Sequence, residues 1–435
     1  MSRFLSSPRK LSSFDIFCLG INAIIGSGIY LFPATLAREV GPASILAFGV
    51  CGLLLVFVAL CYAELGSMFG QNGGSYVYAK EAFGLWVGFG VGWISWVTAI
   101  FSWAAVATAV SSNLAYFHPA FNSAWAVKGI AAVLIVGFTA INYRGIKLGA
   151  WTVNAFTLAK LAPLLFFVAV GIFYIQPARY HPFWNPPTGS FTLAVFLALW
   201  PLQGFETASL PAGESEHPQR AVPLAAIGSL VCSALIYVLI QAVAVGVHPG
   251  LANAGAKPLA EACARFLGPA GGTLMALGAV ISMVGYNAGN ALGSPRFLSA
   301  LAEDRRLPGL FSVPHPRYQT PWAAILLTGG LTACAALFLN FQSLVDVANL
   351  VVILQYLSTC AALIWLRRQR PDATRLFKIP LGIPVALAGC VVSLWLVKEV
   401  KAREFLLGSV VIILGFAGMV AFRGTLRKSV VTQAP

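Results

Sequence analysis

Twelve apolar runs, most about twenty residues long, follow one another along the chain. They lie near 13–36, 43–66, 85–116, 125–142, 150–175, 191–212, 222–247, 271–300, 322–340, 344–366, 382–398 and 404–422. A helix of about 20 apolar residues crosses the hydrocarbon core of a bilayer. The pattern therefore predicts an all-α integral membrane protein with about twelve transmembrane helices. The longest polar connections, 247–270 and 301–321, are too short for an independent soluble core. The first run is too long for a cleavable signal peptide, and no small-residue cleavage site follows it.

Two of the runs carry residues that do not suit a continuous membrane helix. Run one places Gly26, Ser27 and Gly28 in its middle, and run six places Pro201, Gln203, Gly204 and the ionisable Glu206 there. A break frees backbone groups at membrane depth, where each unsatisfied group costs several kcal/mol unless it lines a protein-enclosed cavity or meets a ligand. Breaks in corresponding positions of two halves point to a transport site. Five runs separate these two, and an odd offset inverts the second unit. The expected organisation is a 5+5 inverted repeat with helices 1 and 6 discontinuous: a tail at 1–12, a first repeat at 13–175, a second at 191–366, two additional helices at 382–422 and a tail at 423–435.

Composition agrees with the pattern. The 435 residues are 58% hydrophobic and only 10% charged, with a mean hydropathy of +0.81, whereas soluble domains are about 25% charged. The net charge of +14 is unevenly placed. With a cytoplasmic N-terminus, nineteen of the 28 Lys and Arg fall in inner loops and tails. That asymmetry predicts both termini in the cytoplasm and makes the basic charge a matter of topology, not nucleic-acid binding; the location expected for such a permease is the cell inner membrane. The eight cysteines form no C-x-x-C pair, and seven sit in apolar runs as packing residues. All five histidines directly precede a proline in a loop. Turn roles are expected for them, and no metal or cofactor.

At a break, the half-helix that begins offers unpaired amides and a positive dipole end, and the half that stops offers carbonyls. Amides of Ser27, Gly28 and Ile29 can hold a carboxylate. Carbonyls near Ile24 and Ile25, and in the second break at Trp200 and Gln203, can hold an ammonium. Gly26, Ser27 and Gly28 allow close backbone approach, and Gly204 of the second break joins them as a candidate binding residue. An α-amino acid carries those two groups at that spacing. A glycine pair can equally be a helix contact, and the coincidence of two breaks favours the site. Trp93, Trp96, Trp103, Ser95, Thr98 and Ser102 of run three, with Tyr286, Asn287 and Asn290 of run eight, are candidate side-chain pocket residues.

Two buried charges stand out. Lys160 sits in mid-run, too far from either end to snorkel, so it is a fixed cation, a proton carrier or a structural partner. Glu206 follows the second break as a proton site, a counter-charge to the ammonium or a brace between broken helices. Asp15, Glu64, Glu81, Glu303 and Asp346 lie nearer the run ends and are expected to brace interfaces or gates.

At these residues the chain resembles the amino acid-polyamine-organocation superfamily of transporters. G-S-G-I-Y-L-F-P-A is similar to its first-span signature, and G-F-E-T-A-S-L-P-A-G-E-S-E-H-P-Q-R-A-V-P to its sixth span and following loop, with histidine where asparagine is usual. S-P-R-F-L-S-A-L-A-E-D-R-R-L-P-G-L-F followed by P-R-Y-Q-T-P-W-A-A is similar to the loop after span eight. The resemblance implies alternating access, the carboxylate at Ser27, Gly28 and Ile29, Trp200 as an aromatic lid and Glu206 in gating or proton sensing. L-W-P-L-Q-G-F-E-T-A-S is similar to the bacterial arginine-agmatine antiporter type, whereas Lys160 resembles the span-five lysine of L-type and cationic amino acid transporters. The latter implies that Lys160 reaches toward Gly26 and Ser294, where sodium-coupled relatives hold an ion, and so implies sodium independence.

The expected function is secondary active transport of neutral L-amino acids by proton symport or exchange. A cationic amino acid or polyamine antiporter is the alternative. Partners are the substrate, protons or a counter-substrate and the lipid bilayer; a homodimer is compatible with this fold. No nucleophile-base or metal-ligand cluster suggests an enzyme.

Overall fold

A computed structural model describes residues 10–184, 189–255, 257–398, 400, 405–406, 409–410 and 412–420. The expected tails lie largely outside these, as do parts of the 404–422 run, whose described fragments are helical; the side chain of Asp346 also lies outside. Among the described residues the chain is helical, with one isolated bridge between Leu11 and Ser215 and no strand.

Run one is two helices, α1 (Ser13–Ile24) and α2 (Gly28–Val40), followed by α3 (Ser44–Met68), the short α4 (Ser75–Phe83) and α5 (Leu85–Leu114). Next come α6 (Ala124–Tyr143) and α7 (Ile146–Gly171). Run six is α8 (Phe191–Leu197), a single turn α9 (Leu199–Leu202) and 3-10 turns over Phe205–Ser209 and Ala212–Glu214. The chain continues through α10 (Pro218–Val247), α11 (Pro258–Gly293), α12 (Pro295–Glu303), α13 (Trp322–Phe338), α14 (Phe341–Gln369) and α15 (Gly382–Val397).

Eight helical stretches are long and apolar enough to cross a membrane; α1, α13 and α15 are shorter apolar helices of 10–17 residues. The eight differ from the twelve expected runs for physical reasons. A run broken at its middle leaves a short piece such as α1, while α2 and α3 form one unbroken apolar stretch, Gly28–Met68, as α11 and α12 do over Pro258–Glu303.

Local chemistry sets the boundaries. Ser12 and Asp15 form a reciprocal capping box at the start of α1. Prolines occupy the first position of α10, α11 and α12, where a missing N–H costs nothing. Gly84 and Gly145, at φ +84° and +145°, separate α4 from α5 and α6 from α7 in a backbone region that favours glycine. The histidine expectation holds at three turns: Nδ1 of His118, His248 and His315 each accepts a backbone N–H two residues on.

The dominant pairings are α3 with α10, α7 with α11, α5 with α14, α1 with α10 and α6 with α13; α15 packs on α14 and α3. The two ends of this bundle differ. Where α1 begins, Leu11 exchanges backbone hydrogen bonds with Glu214 and Glu216. Lys80 pairs with Asp304 at 2.7 Å, Arg296 with Glu214 at 3.3 Å and Arg370 with Glu81 at 3.0 Å. Fully buried Glu64 accepts both Arg367 Nε and Nη2, at 2.8 and 2.5 Å, and the Ile379 amide at 2.8 Å, with Arg375 Nε 3.2 Å away. Glu64 and Glu81 thus have the bracing role expected of run-end carboxylates. At the opposite end a crevice of about 480 Å³ opens between α2, α5, α6, α13 and the start of α14.

Removing one member of a buried, hydrogen-bonded ion pair strands the other and costs about 3–5 kcal/mol. Glu64→Leu is expected to lower the thermal unfolding midpoint of the detergent-purified protein sharply. Adding Arg367→Leu is expected to recover part of that loss; a Glu64→Leu midpoint equal to wild type would show the pair to be inert.

Candidate substrate chamber

The C-terminal end of α1 leaves carbonyls without intrahelical donors, and side chains from three other helices supply them. Lys160, fully buried on α7, donates from Nζ to Ile25 O at 2.6 Å and Asn22 O at 3.2 Å. Ser282 of α11 donates to Ile25 O and Gly26 O at 3.1 and 3.0 Å, and Tyr237 of α10 to Ile24 O at 3.1 Å. Asn22 adds a bond from Nδ2 to Gly285 O at 2.8 Å. Such dense satisfaction is what an irregular backbone inside a membrane requires.

The two breaks touch each other reciprocally. A Cβ on Gly28 would lie 2.6 Å from Pro201 Cα, and one on Gly204 would lie 2.6 Å from the Ala23 carbonyl. The first residue past each break therefore rests on the last turn before the other. Gly204, at φ +128°, also needs glycine's conformational freedom. The helix-contact role weighed for the glycines is real, and it coexists with the chamber.

Between the breaks lies a chamber of about 10 Å³ lined by Ile24, Gly26, Ser27, Gly28, Trp200, Gln203, Val106 of α5 and Tyr286 of α11. It has room for about one water in this form. Among the described residues no hydrogen bond takes up the amides of Ser27, Gly28 or Ile29, and the Ser27 hydroxyl and Gln203 Oε1 are buried without a partner. Ile24 O is already occupied, accepting the Gly26 N–H and the Tyr237 hydroxyl. That removes Ile24 O from the expected ammonium acceptors and leaves the carbonyls of the second break. Ile25 and Ile29 are fully buried and outside the chamber lining.

A second cavity of about 40 Å³ shares Ala23, Gln203 and Tyr286 with the chamber and adds Ser95, Thr98, Ser102, Asn290, Gly204, Glu206 and Thr207. Glu206 is hydrogen-bonded as a brace: Oε2 accepts the Gly204 N–H and the Tyr356 hydroxyl of α14, both at 2.9 Å. Trp200 borders the chamber, and the ring of Phe341 meets it edge-on at 6.5 Å. Phe341 in turn lines the crevice, with Leu31 and Thr35 of α2.

Several expected site residues lie elsewhere. Trp96 donates from its indole to Thr328 of α13 at 3.0 Å and lines neither compartment. Trp103 is likewise outside the lining, because the face of α5 that meets the breaks carries the smaller Thr98, Ser102 and Val106. Asn287 is fully buried and donates within its own helix, to Met283 O. Ser294 does not meet Lys160. It sits at the α11–α12 junction near Asn290, about 18 Å along the helix from Ser282, which takes the expected position. Sequence reasoning missed Ser282, Tyr237 and Val106. A hydroxyl in an apolar helix is common enough that only the facing break identifies it.

The chain belongs to the amino acid permease family, whose pattern it matches over residues 11–422. It is 30% identical to the methylthioribose transporter of Bacillus subtilis (strain 168), covering 93% of this chain and 91% of that protein. It is also 30% identical to the branched-chain amino acid permease BcaP of the same organism, covering 87% and 85%. Human cationic amino acid transporter 4 is 30% identical over 84% of this chain and 61% of its own length. With its long apolar helices, the chain is a multi-pass membrane protein of a transporter family.

Alanine at Gly28 or Gly204 would drive a Cβ into backbone atoms. Either substitution is expected to abolish a monodisperse peak in detergent size-exclusion chromatography, whereas Gly129→Ala, with open space around it, is expected to behave as wild type. Wild-type elution of Gly204→Ala would refute the backbone contact between the breaks.

Proposed function

We propose that the chain moves a zwitterionic L-amino acid across the cell inner membrane by alternating access, without sodium, as a proton symporter or an exchanger. The observation that carries this reading is the pair of free amides at Ser27 and Gly28, which line the chamber opposite the second break, with the free Ile29 amide behind them. A carboxylate is stabilised by amides at a helix N-terminus, and unpaired carbonyls of the second break suit an ammonium. Trp200 is the lid over the bound substrate.

The helix pairing supports a 5+5 inverted repeat over 13–175 and 191–366. Exchanging each helix for its counterpart five spans away turns the α5–α14 pair into α11–α7 and maps α3–α10 and α6–α13 onto themselves. With both termini cytoplasmic, the ion-paired end is the inner side of the bundle and the creviced end the outer side.

Lys160 supports sodium independence, since its amino group already occupies the carbonyls of the first break. The side-chain compartment favours a neutral substrate, because Glu206 is the one carboxylate lining it and is engaged by two donors. A cationic substrate is the second reading, favoured by that same carboxylate and by relatives named cationic amino acid transporters.

Uptake into proteoliposomes of labelled L-amino acids and polyamines, with and without internal substrate and a pH gradient, tests the reading. Neutral amino acids are expected to enter independently of sodium; polyamine uptake alone would overturn it. Lys160→Ala leaves Ile25 O without its shortest donor and is expected to reduce uptake at least tenfold, and wild-type rates would make the lysine dispensable. Glu206→Gln keeps an acceptor for Gly204 and Tyr356 but cannot titrate. If Glu206 carries the coupled proton, this variant loses the pH dependence of uptake while staying folded; an unchanged profile assigns Glu206 to the brace alone.

A further inference from the structure

Among the eight long apolar stretches α6 is the one least covered by protein: 22% of it is buried, against 83% for α5. In a multi-pass membrane protein the rest of that helix faces lipid. Along this face, between α6 and α13, runs an open groove of about 590 Å³ walled by Val136, Ala140, Leu326, Gly330 and Ala333. Two adjacent glycines shape it. A Cβ on Gly329 would overlap Thr139 Oγ1 of α6, so the helices sit close, whereas a Cβ on Gly330 would meet no atom within 4 Å and the groove stays open there.

The foot of the groove is chemically unlike its walls. Tyr143 and Arg144 line it where α6 ends, together with Tyr318 from the chain that enters α13. Tyr143 O accepts the Thr320 hydroxyl at 2.9 Å, which ties these two chain ends together. His315 stacks on Tyr318 at 4.8 Å and meets Tyr143 edge-on at 5.2 Å, and the Arg317 guanidinium lies 5.5 Å from the centre of the Tyr318 ring. Among the described residues neither Arg144 nor Arg317 pairs with a carboxylate. The span ends here, so this aromatic and basic cluster stands at the level of lipid headgroups.

We propose that the groove between α6 and α13 is a binding site for an anionic phospholipid, with an acyl chain laid along Gly330 and the phosphodiester held at Arg144. Apolar walls at hydrocarbon depth and unpaired guanidiniums at headgroup depth complement a molecule that carries both acyl chains and a net negative phosphate. A guanidinium meets phosphate oxygens in a two-pronged, charge-assisted contact, and basic pockets between membrane helices suit such headgroups. A zwitterionic headgroup brings its own ammonium to the phosphate and leaves the arginines less to neutralise. The groove shares no lining residue with the chamber, the Glu206 cavity or the crevice. The site therefore stands apart from the transport reading.

The test is native mass spectrometry of the full-length protein in detergent, titrated with phosphatidylglycerol, with phosphatidylethanolamine of the same chains, or with glycerol 3-phosphate. Wild type is expected to retain phosphatidylglycerol at concentrations about tenfold below those needed for phosphatidylethanolamine, and glycerol 3-phosphate is expected not to be retained. Arg144→Gln is expected to carry one phosphatidylglycerol fewer than wild type. Gly330→Leu, whose Cβ enters open space in the groove, is expected to lose one lipid of either kind while staying folded. Equal retention of the two lipids by wild type, or an unchanged lipid count in both variants, overturns the site. Glycerol 3-phosphate retained as strongly as the lipid makes this a free-phosphate site and overturns the lipid assignment. A wild-type dimer that Gly330→Leu converts to monomer makes the groove a subunit interface, and overturns it as well.

Discussion

The whole arrangement depends on what happens to the backbone of residues 21–28 once the first membrane helix stops. Carbonyls that end a helix inside a low-dielectric interior must find donors. Here the donors come from α7, α10 and α11, through Lys160, Tyr237 and Ser282. Three helices remote in sequence are thereby anchored to one short stretch of irregular chain. The amides on the other side of the break receive no such partners among the described residues, so one end of the break is saturated and the other leaves main-chain donors beside the chamber.

Much of this was legible in the residues, and the limits are physical. Gly26, Ser27 and Gly28 marked the first break and Pro201 to Glu206 the second, because glycine, proline and a carboxylate are conspicuous against leucine and valine. Lys160 was visible for the same reason. Ser282 was not, since serine is unremarkable in a membrane helix and its partner lies 256 residues away in sequence. The tryptophans of α5 misled in the opposite direction. Their size suggests a pocket, but Trp96 turns to α13 and Trp93 stacks on Phe89 and packs against Trp96, and the face turned to the breaks carries the smaller Thr98, Ser102 and Val106. Helix existence followed from hydropathy, while the number of full-length crossings did not, because broken and short helices depart from the twenty-residue rule.

The buried polar groups fall into two sets with different work. Around Glu64, two arginines and an amide saturate a carboxylate at the end where α1 begins, tying α3 to α14 and to the connection before α15. Around Glu206, which borders a cavity, two donors meet one oxygen. A fully saturated carboxylate fixes geometry, whereas a half-saturated one keeps capacity for a ligand or a proton.

The reciprocal seating of Gly28 on Pro201 and of Gly204 on Ala23 also bears on how tight the molecule is to ions. Gly28 faces the Cα and rigid ring of Pro201, and Gly204 faces the Ala23 main chain, so neither contact has a flexible side chain to absorb a displacement of one broken helix against the other. The two sides of the chamber are geared together. For a carrier of the kind proposed above, a passage open to both compartments at once would require both seats to part.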